Sequence, residues 1–162
     1  MRFTIYVTLL FFIPAALFAQ KPVSNPNTIV DTFKKSVPCV TICKLGKTEM
    51  SIHYYSLGVK NRIIWGGLVP YNQVWVTGAH SATRLDSEKI FTIGDVKIAA
   101  SKYALFTITG KEEWTVFINK NYQQHFADDY DSKDDIVRTK IKPTAVEAPL
   151  ERLQYFIKTI KL

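Results

Sequence analysis

The feature that most constrains the fold is the regular alternation of short strand-like segments and turn signals from residue 38 onward. Turn-forming pairs such as Gly94-Asp95 and Gly110-Lys111 separate runs rich in β-branched and aromatic residues. Their spacing of about 8 to 12 residues is typical of sandwiches and barrels. No long stretch of this region shows the periodicity of an amphipathic helix. We therefore predict one all-β domain, a compact β-sandwich or barrel-like fold of roughly nine short, mostly antiparallel strands.

The predicted strands share β-branched, aromatic or alternating apolar residues. They are Cys39–Leu45, Met50–Tyr55, Val74–Thr77, Ala82–Leu85, Lys89–Ile93, Val96–Ile98, Tyr103–Thr109, Glu113–Asn119, Val137–Lys142 and Leu153–Ile160. Residues 57–73 break the pattern, because Gly66-Gly67 and Pro70 favour an irregular connection. This connection is unusually apolar for a loop, so we expect it to pack against the domain or against a ligand.

The first 19 residues have the outline of a targeting segment. Arg2 gives a positive start, residues 3–18 are mostly apolar, and the small Ala19 stands where a signal peptidase would cut. The alternative is an uncleaved membrane anchor, but the apolar run is shorter than the roughly 20 residues that span a bilayer. We predict a signal peptide over 1–19, a flexible lead over 20–37 and a single β domain over 38–162. The chain would then be exported, periplasmic or extracellular, with no transmembrane segment after cleavage.

The charge balance points away from nucleic acid. Without residues 1–19 the chain keeps 20 basic and 14 acidic side chains, since only Arg2 is lost. This excess of basic groups gives weak attraction to anionic surfaces. The lysines are scattered, however, and no nucleic-acid-binding motif is present. We expect no nucleic-acid partner.

The central part of the sequence contains several ordered signatures of aromatic, glycine and threonine residues. They are Gly66–Tyr71, Val74–Ala79 and Ala82-Thr83, then Tyr103–Ile108 with Glu113–Val116 and Asn119-Lys120, and finally Tyr130-Asp131 with Asp135–Arg138. In these segments the chain resembles a bacterial family of exported proteins catalogued as domain of unknown function 2911. It departs from the family pattern at His80-Ser81 and at Ala100–Lys102. The resemblance implies export and a compact β-rich domain, and it implies no activity.

One stretch combines the residue types of a binding site for a polar ligand such as a sugar or peptide. Aromatic faces stack on such a ligand, while a few polar groups fix its orientation. The candidate ligand-binding residues are Arg62, Trp65, Tyr71, Trp75, Thr77, His80 and Thr83. In the alternative interpretation, Trp65, Leu68 and Tyr71 plug one end of the sandwich. Thr77 and Thr83 would then face each other across adjacent strands.

No motif for catalysis, a metal or a cofactor stands out. The sequence contains no nucleophile elbow, no zinc-protease helix and no phosphate-binding loop. The spacing of His53, His80 and His125 does not bring them together, and we predict no metal ligands and no cofactor. The acidic run at residues 128–135 could offer oxygen ligands to Ca²⁺, but it lacks the glycine and terminal glutamate of a calcium loop. An acidic turn between strands is the simpler interpretation.

The two cysteines, Cys39 and Cys43, are four residues apart in a predicted strand. Their separation of about 13 Å in an extended chain exceeds the reach of a disulfide. Small buried apolar side chains are therefore the favoured interpretation.

Three function classes stay open. The favoured one is a small envelope module that binds a small polar ligand, a glycan or an envelope protein. The second is an enzyme, hydrolase-like, acting on an envelope or extracellular substrate. The third is a structural or accessory partner of another envelope protein.

Overall fold

The computed structural model describes residues 35–45, 48–145 and 150–157. The predicted signal peptide and nearly all of the predicted lead segment lie outside these ranges. The strands are β1 Val37–Leu45, β2 Thr48–Ser56, β3 Val74–Trp75, β4 Thr83–Ser87, β5 Phe91–Ile93, β6 Val96–Ile98, β7 Ser101–Ile108, β8 Trp114–Asn119 and β9 Asp135–Ile141. A single 3-10 turn, Ser132–Asp134, precedes β9, and the described residues contain no α-helix. The all-β prediction is confirmed.

Seven strands form one antiparallel sheet in the order β1-β2-β4-β7-β8-β9, with β3 beside the end of β7. Strands β3 and β4 share the same edge of β7, since Trp75 pairs with Thr107 and Thr83 pairs with Leu105. The residues between them must therefore leave the sheet and return within a few positions. Strands β5 and β6 form a separate hairpin, in which Gly94 has a φ of 57°. A left-handed first turn residue favours glycine in such a two-residue connection.

One face of the sheet carries the larger core. Alternating residues of the central strands point to this face because side chains of a strand alternate between its two sides. The β5–β6 hairpin covers it with Phe91 and Ile98, and the C-terminal segment covers it with Tyr155. The buried side chains packed together here include Met50, Ile52, Tyr54, Leu85, Leu105 and Ile118.

The opposite face is covered over only part of its width. Ala104, Phe106 and Phe117 form a second core under the segment that follows β8. The half formed by β1, β2 and β4 is open, and Val40 and Ile42 of β1 are 51% and 58% exposed on it. The aromatic side chains of the covered half are therefore buried, whereas the open half exposes apolar side chains of β1. Among the described residues no helix is long and apolar enough to cross a membrane.

The predicted strand Leu153–Ile160 is wrong over its described part, because residues 153–157 form no strand. This segment crosses the face of the sheet instead of joining a ladder. Its carbonyl oxygens accept hydrogen bonds from side chains, with Ser56 Oγ donating to Leu153 at 2.8 Å and Thr41 Oγ1 to Tyr155 at 2.9 Å. Residues 158–160 lie outside the described ranges.

The prediction for Val74–Thr77 is too long at its C-terminal end. Strand β3 ends at Trp75, and Thr77 has a φ of 57°, which no β-strand residue adopts. This left-handed residue begins the turn that leads to β4. Both cysteines lie in β1 opposite β2, and both are free thiols. Both are only partly buried, so the predicted burial of the two side chains is wrong in degree, and partial burial raises the pKa of the Cys39 thiol.

Candidate functional site

An open pocket of about 660 Å³ lies beside the turn between β3 and β4. Its size falls within the range of small-molecule sites, about 300 to 1,000 Å³. Its wall is built from the two residues before β1, the loop after β2, the end of β3 with the β3–β4 turn, and one residue of the segment that follows β8. We call it the basic pocket, because its charged lining residues are Lys35, Lys60 and Arg62, joined by His80.

The rest of the wall is mainly apolar. The larger apolar side chains that line it are Leu57, Leu68, Val69, Trp75, Val76 and Phe126. No aspartate or glutamate lines the pocket among the described residues. The nearest acid in its hydrogen-bond network is Glu151, whose carboxylate accepts the Lys60 backbone N–H at 2.8 Å. The pocket therefore joins an apolar wall to positive charge.

A buried threonine network holds the turn that forms one side of the basic pocket. Thr77 and Thr83 are fully buried. Thr83 Oγ1 donates to the Thr77 carbonyl oxygen at 3.0 Å, and Tyr155 Oη donates to the same oxygen. Thr77 Oγ1 lies 3.0 Å from Thr107 Oγ1. These bonds satisfy buried polar groups and fix the backbone of the turn.

Gly78 is required by the same network. A Cβ atom at this position would lie 2.8 Å from Thr83 Oγ1, closer than real Cβ contacts. Its carbonyl oxygen also accepts a hydrogen bond from Trp75 Nε1 at 3.0 Å. The turn and the Trp75 ring are therefore positioned together.

Backbone strain is concentrated around the basic pocket. Three residues that line it have left-handed conformations, Lys60 with φ 49°, Phe126 with φ 52° and His80 with φ 61°. Thr77, with φ 57°, lies in the same turn as His80. For a residue other than glycine this conformation costs roughly 1 to 2 kcal/mol. Such strain persists only where the surrounding structure imposes it, and it clusters at functional sites.

The three tryptophans of the chain form one cluster next to the basic pocket. The Trp65 ring lies 5.8 Å from the Trp75 ring and 4.5 Å from the Trp114 ring. Of the three, only Trp75 lines the pocket. The Trp65 ring contacts the Trp75 ring edge to face, and this contact helps to fix the ring that a ligand could contact.

The basic groups differ in how they are held. The Arg62 guanidinium donates from Nη2 to the Gly58 carbonyl at 2.6 Å and from Nε to the Val59 carbonyl at 3.2 Å. These contacts fix its position without neutralising it, and no carboxylate of the described residues forms an ion pair with Arg62. At the same wall, Ser36 Oγ is buried and has no hydrogen-bond partner among the described residues.

The structure brings together three of the seven predicted ligand-binding residues. Arg62, Trp75 and His80 all line the basic pocket. Thr77 and Thr83 are buried beneath it and do not line it.

Trp65 and Tyr71 lie outside the basic pocket. Tyr71 covers Gly66, where a Cβ atom would lie 2.6 Å from the tyrosine ring. In the alternative interpretation, Trp65, Leu68 and Tyr71 plug one end of the sandwich. Trp65 packs against the other tryptophans and Tyr71 against Gly66, as that interpretation expects for these two residues.

Sequence reasoning missed Lys35, Lys60 and Phe126. Phe126 comes from a distant segment, and its backbone N–H bonds to the His80 carbonyl. Its ring centroid lies 6.2 Å from that of His80. No sequence pattern links these two residues. Lys60 lies within the irregular connection and Lys35 in the predicted lead segment, and nothing in the sequence placed the two in one wall.

A second polar group, on the open half of the sheet, has the composition of a catalytic triad but not its geometry. His53 Nε2 lies 3.1 Å from Ser51 Oγ and 3.5 Å from Asp86 Oδ2. In a serine hydrolase the acid orients the other ring nitrogen, so that Nε2 is left to activate the serine. Here both partners approach one nitrogen. Burial and the nearby Arg84 lower the pKa of His53.

The acidic run is engaged in local structure. Asp131 caps the 3-10 turn by accepting the Lys133 backbone N–H at 2.9 Å. Asp135 accepts hydrogen bonds from Asn119, Tyr130 and Arg138. Among the residues that the structure describes, no group of three or more His, Cys, Asp or Glu side chains could hold a metal ion.

Fold and pocket define the class of protein as a small all-β domain with an open, basic and apolar pocket at the side of its main sheet. A family model described as "Protein of unknown function (DUF2911)" matches residues 36–162. The chain belongs to this family, which its central signatures already resembled. Comparison with curated proteins and with solved structures finds no match.

Proposed function

We propose that this chain is an exported binding module of the bacterial cell envelope and that the basic pocket takes its ligand. The observation that carries the proposal is the left-handed backbone of Lys60, His80 and Phe126 around one pocket. Each of these residues comes from a different segment, so the strain is not the property of one tight turn. Strain of this kind is retained where the arrangement of side chains has a use beyond stability.

The surrounding contacts support the same proposal. The Trp75 ring is held by its own hydrogen bond to Gly78 and by the neighbouring Trp65. A ligand that meets a rigid ring loses less binding free energy to ordering of the protein. Export itself rests on the targeting outline of residues 1–19.

A thermal-shift screen tests the proposal. The panel contains cell-wall fragments, simple glycans, short peptides, organic acids and divalent metals with and without chelator. A ligand of the native state stabilises it by about 2.7 kcal/mol at one hundred times its dissociation constant. We expect at least one class to raise the melting temperature of the wild type but not of Trp75→Ala. A shift that survives in both Trp75→Ala and Phe126→Ala would contradict the assignment of the pocket, and so would the absence of any shift.

A second candidate function, pairing with another envelope protein, is favoured by strand β1. No strand of the described ranges pairs with the outer edge of this nine-residue strand, and Val40 and Ile42 are exposed beside it. An edge of this kind can accept a strand of another chain. Replacing Val40 and Ile42 by lysine should abolish such pairing, which size-exclusion chromatography with envelope extract would reveal as loss of a larger species. The same variant should bind small ligands as the wild type does.

A further inference from the structure

We infer that the ligand of the basic pocket is an organic anion, with a carboxylate or phosphate head and an apolar body. This inference rests on the proposed function, since it names the chemistry of the ligand for the same site. The first observation behind it is the positive charge of the pocket wall. Lys35, Lys60 and Arg62 line the pocket, and no carboxylate of the described residues lines it with them.

The positions of Arg62 and Lys35 suit an incoming anion. Arg62 is anchored through Nε and Nη2 to carbonyl oxygens of its own loop. These bonds leave Nη1 to donate to a ligand, in the planar geometry that suits carboxylate and phosphate. The Lys35 ammonium group is exposed and forms no ion pair with a carboxylate of the described residues. The exposed side chains of Lys35, Lys60 and Arg62 give the pocket a positive potential that attracts an anion.

The apolar part of the wall determines the chemistry of the rest of the ligand. Leu57, Leu68, Val69 and Val76 offer aliphatic contact, while Trp75 and Phe126 offer flat faces. A free inorganic anion would leave this apolar surface uncovered. A neutral apolar molecule would make no ionic contact with the cationic groups of the wall. A molecule with an acidic head and an apolar body satisfies both, as expected for sites with a few polar groups on an apolar wall.

The experiment uses anilinonaphthalene sulfonate, a fluorescent anion with an aromatic body, as the probe. Its binding is followed by energy transfer from the tryptophan cluster, in which Trp75 lines the pocket. Competitors are octanoate, octyl phosphate and octanol, which share one alkyl chain and differ in the head. We expect octanoate and octyl phosphate to displace the probe at concentrations at least about tenfold lower than octanol. The order of the two anions then distinguishes a carboxylic acid from a phosphate ester.

Charge variants provide the matched test. Arg62→Gln and Lys35→Gln should each weaken octanoate binding roughly three- to fivefold, and the loss should shrink in high salt. Arg62→Gln also removes bonds to the loop, so Lys35→Gln, which removes none, keeps the test independent of folding. Lys97→Gln on β6 is the control, since Lys97 is exposed and does not line the pocket. It should leave binding unchanged.

Two failures are distinguishable. If octanol competes as well as octanoate and the charge variants bind normally, while Trp75→Ala still abolishes binding, the anion inference is overturned and the pocket stands. If the probe does not bind, or binds Trp75→Ala as tightly as the wild type, the proposed function itself is overturned.

Discussion

Arg62, in the loop after β2, and Arg138, on β9, both lie near aromatic side chains, but the two guanidinium groups are held in opposite ways. The Arg138 guanidinium lies 4.5 Å from the centre of the Phe117 ring and donates to Asp135 and Tyr130. Asp135 in turn accepts from Asn119 at 2.9 Å. We call these residues, Asn119, Tyr130, Asp135 and Arg138, the Arg138 network. Its charged side chains are paired within the fold.

Arg62, by contrast, bonds to carbonyl oxygens, and its neighbours have strained backbones. Hydrogen bonds to neutral acceptors fix a cation but leave its charge available. The comparison separates two uses of the same residue types. Removing one member of a paired network leaves its partners unsatisfied and lowers stability, whereas the exposed Arg62 guanidinium keeps a charge that is available to a ligand.

The largest expected effect comes from breaking the Arg138 network. Asp135→Ala should lower the free energy of unfolding by about 2 to 4 kcal/mol, because the fully buried Asn119 loses one of its two acceptors and the Tyr130 hydroxyl loses its carboxylate acceptor. Urea denaturation measures this loss. Asp129→Ala, an exposed residue of the same acidic run, is the control and should change stability little. Equal losses in the two variants would show that the network is not the source of the stability.

Trp75→Ala should have a smaller effect on stability and a larger one on binding. The Trp75 ring is only half-buried, so we expect a loss of about 2 kcal/mol, against about 3 to 5 for a fully buried tryptophan. Binding of anilinonaphthalene sulfonate should fall below detection. Trp75→Phe keeps an aromatic face and should retain most of the binding. A Trp75→Ala variant that binds normally would remove Trp75 from the site.

His80→Gly should raise the free energy of unfolding, whereas the two preceding substitutions lower it. Glycine adopts the left-handed conformation without strain, so the free energy of unfolding should rise by about 0.5 to 1 kcal/mol. Loss of the ring from the pocket wall should at the same time weaken probe binding at least about threefold. Asn72→Gly, at a left-handed residue outside the pocket with φ 59°, is the control and should leave binding unchanged. A destabilised His80→Gly variant would contradict the proposal that the His80 backbone is strained at a cost in stability so that its side chain can serve binding.

The smallest effect concerns alkaline pH. Burial and the neighbouring Asp135 carboxylate raise the pKa of Tyr130 to about 12. An unfolded tyrosine titrates near 10. The contribution of the Tyr130 proton to stability is therefore complete below about pH 10 and is lost as the pH rises toward 12. Tyr130→Phe should flatten the fall in stability across this window, as measured by urea denaturation at each pH. Parallel curves for both proteins would contradict the assignment.

The sequence predicted the strands well because alternation and turn residues are local signals. The Gly94-Asp95 turn between β5 and β6 is an example. The prediction of a strand at residues 153–157 failed because an apolar segment that crosses the face of a sheet has the same composition as a strand of that sheet. Only the long-range bonds to Ser56 and Thr41 distinguish the two cases.

The site could be predicted only in part, for a related reason. Arg62, Trp75 and His80 lie within one stretch of sequence, and their residue types indicated a binding surface. Whether a threonine faces a pocket or a buried carbonyl depends on a left-handed turn at Thr77 that no propensity favours. Phe126 reaches the pocket through tertiary contacts alone.

The most direct test of the pocket is a map of backbone amide chemical shifts in the ¹⁵N-labelled protein during titration with anilinonaphthalene sulfonate. We predict saturable changes at Gly58, Gly78, Ala79 and Phe126, which line the basic pocket. We predict no change in the Arg138 network. Changes centred on Tyr130 and Arg138, or no saturable change at the four pocket amides, would contradict the assignment of the basic pocket as the binding site.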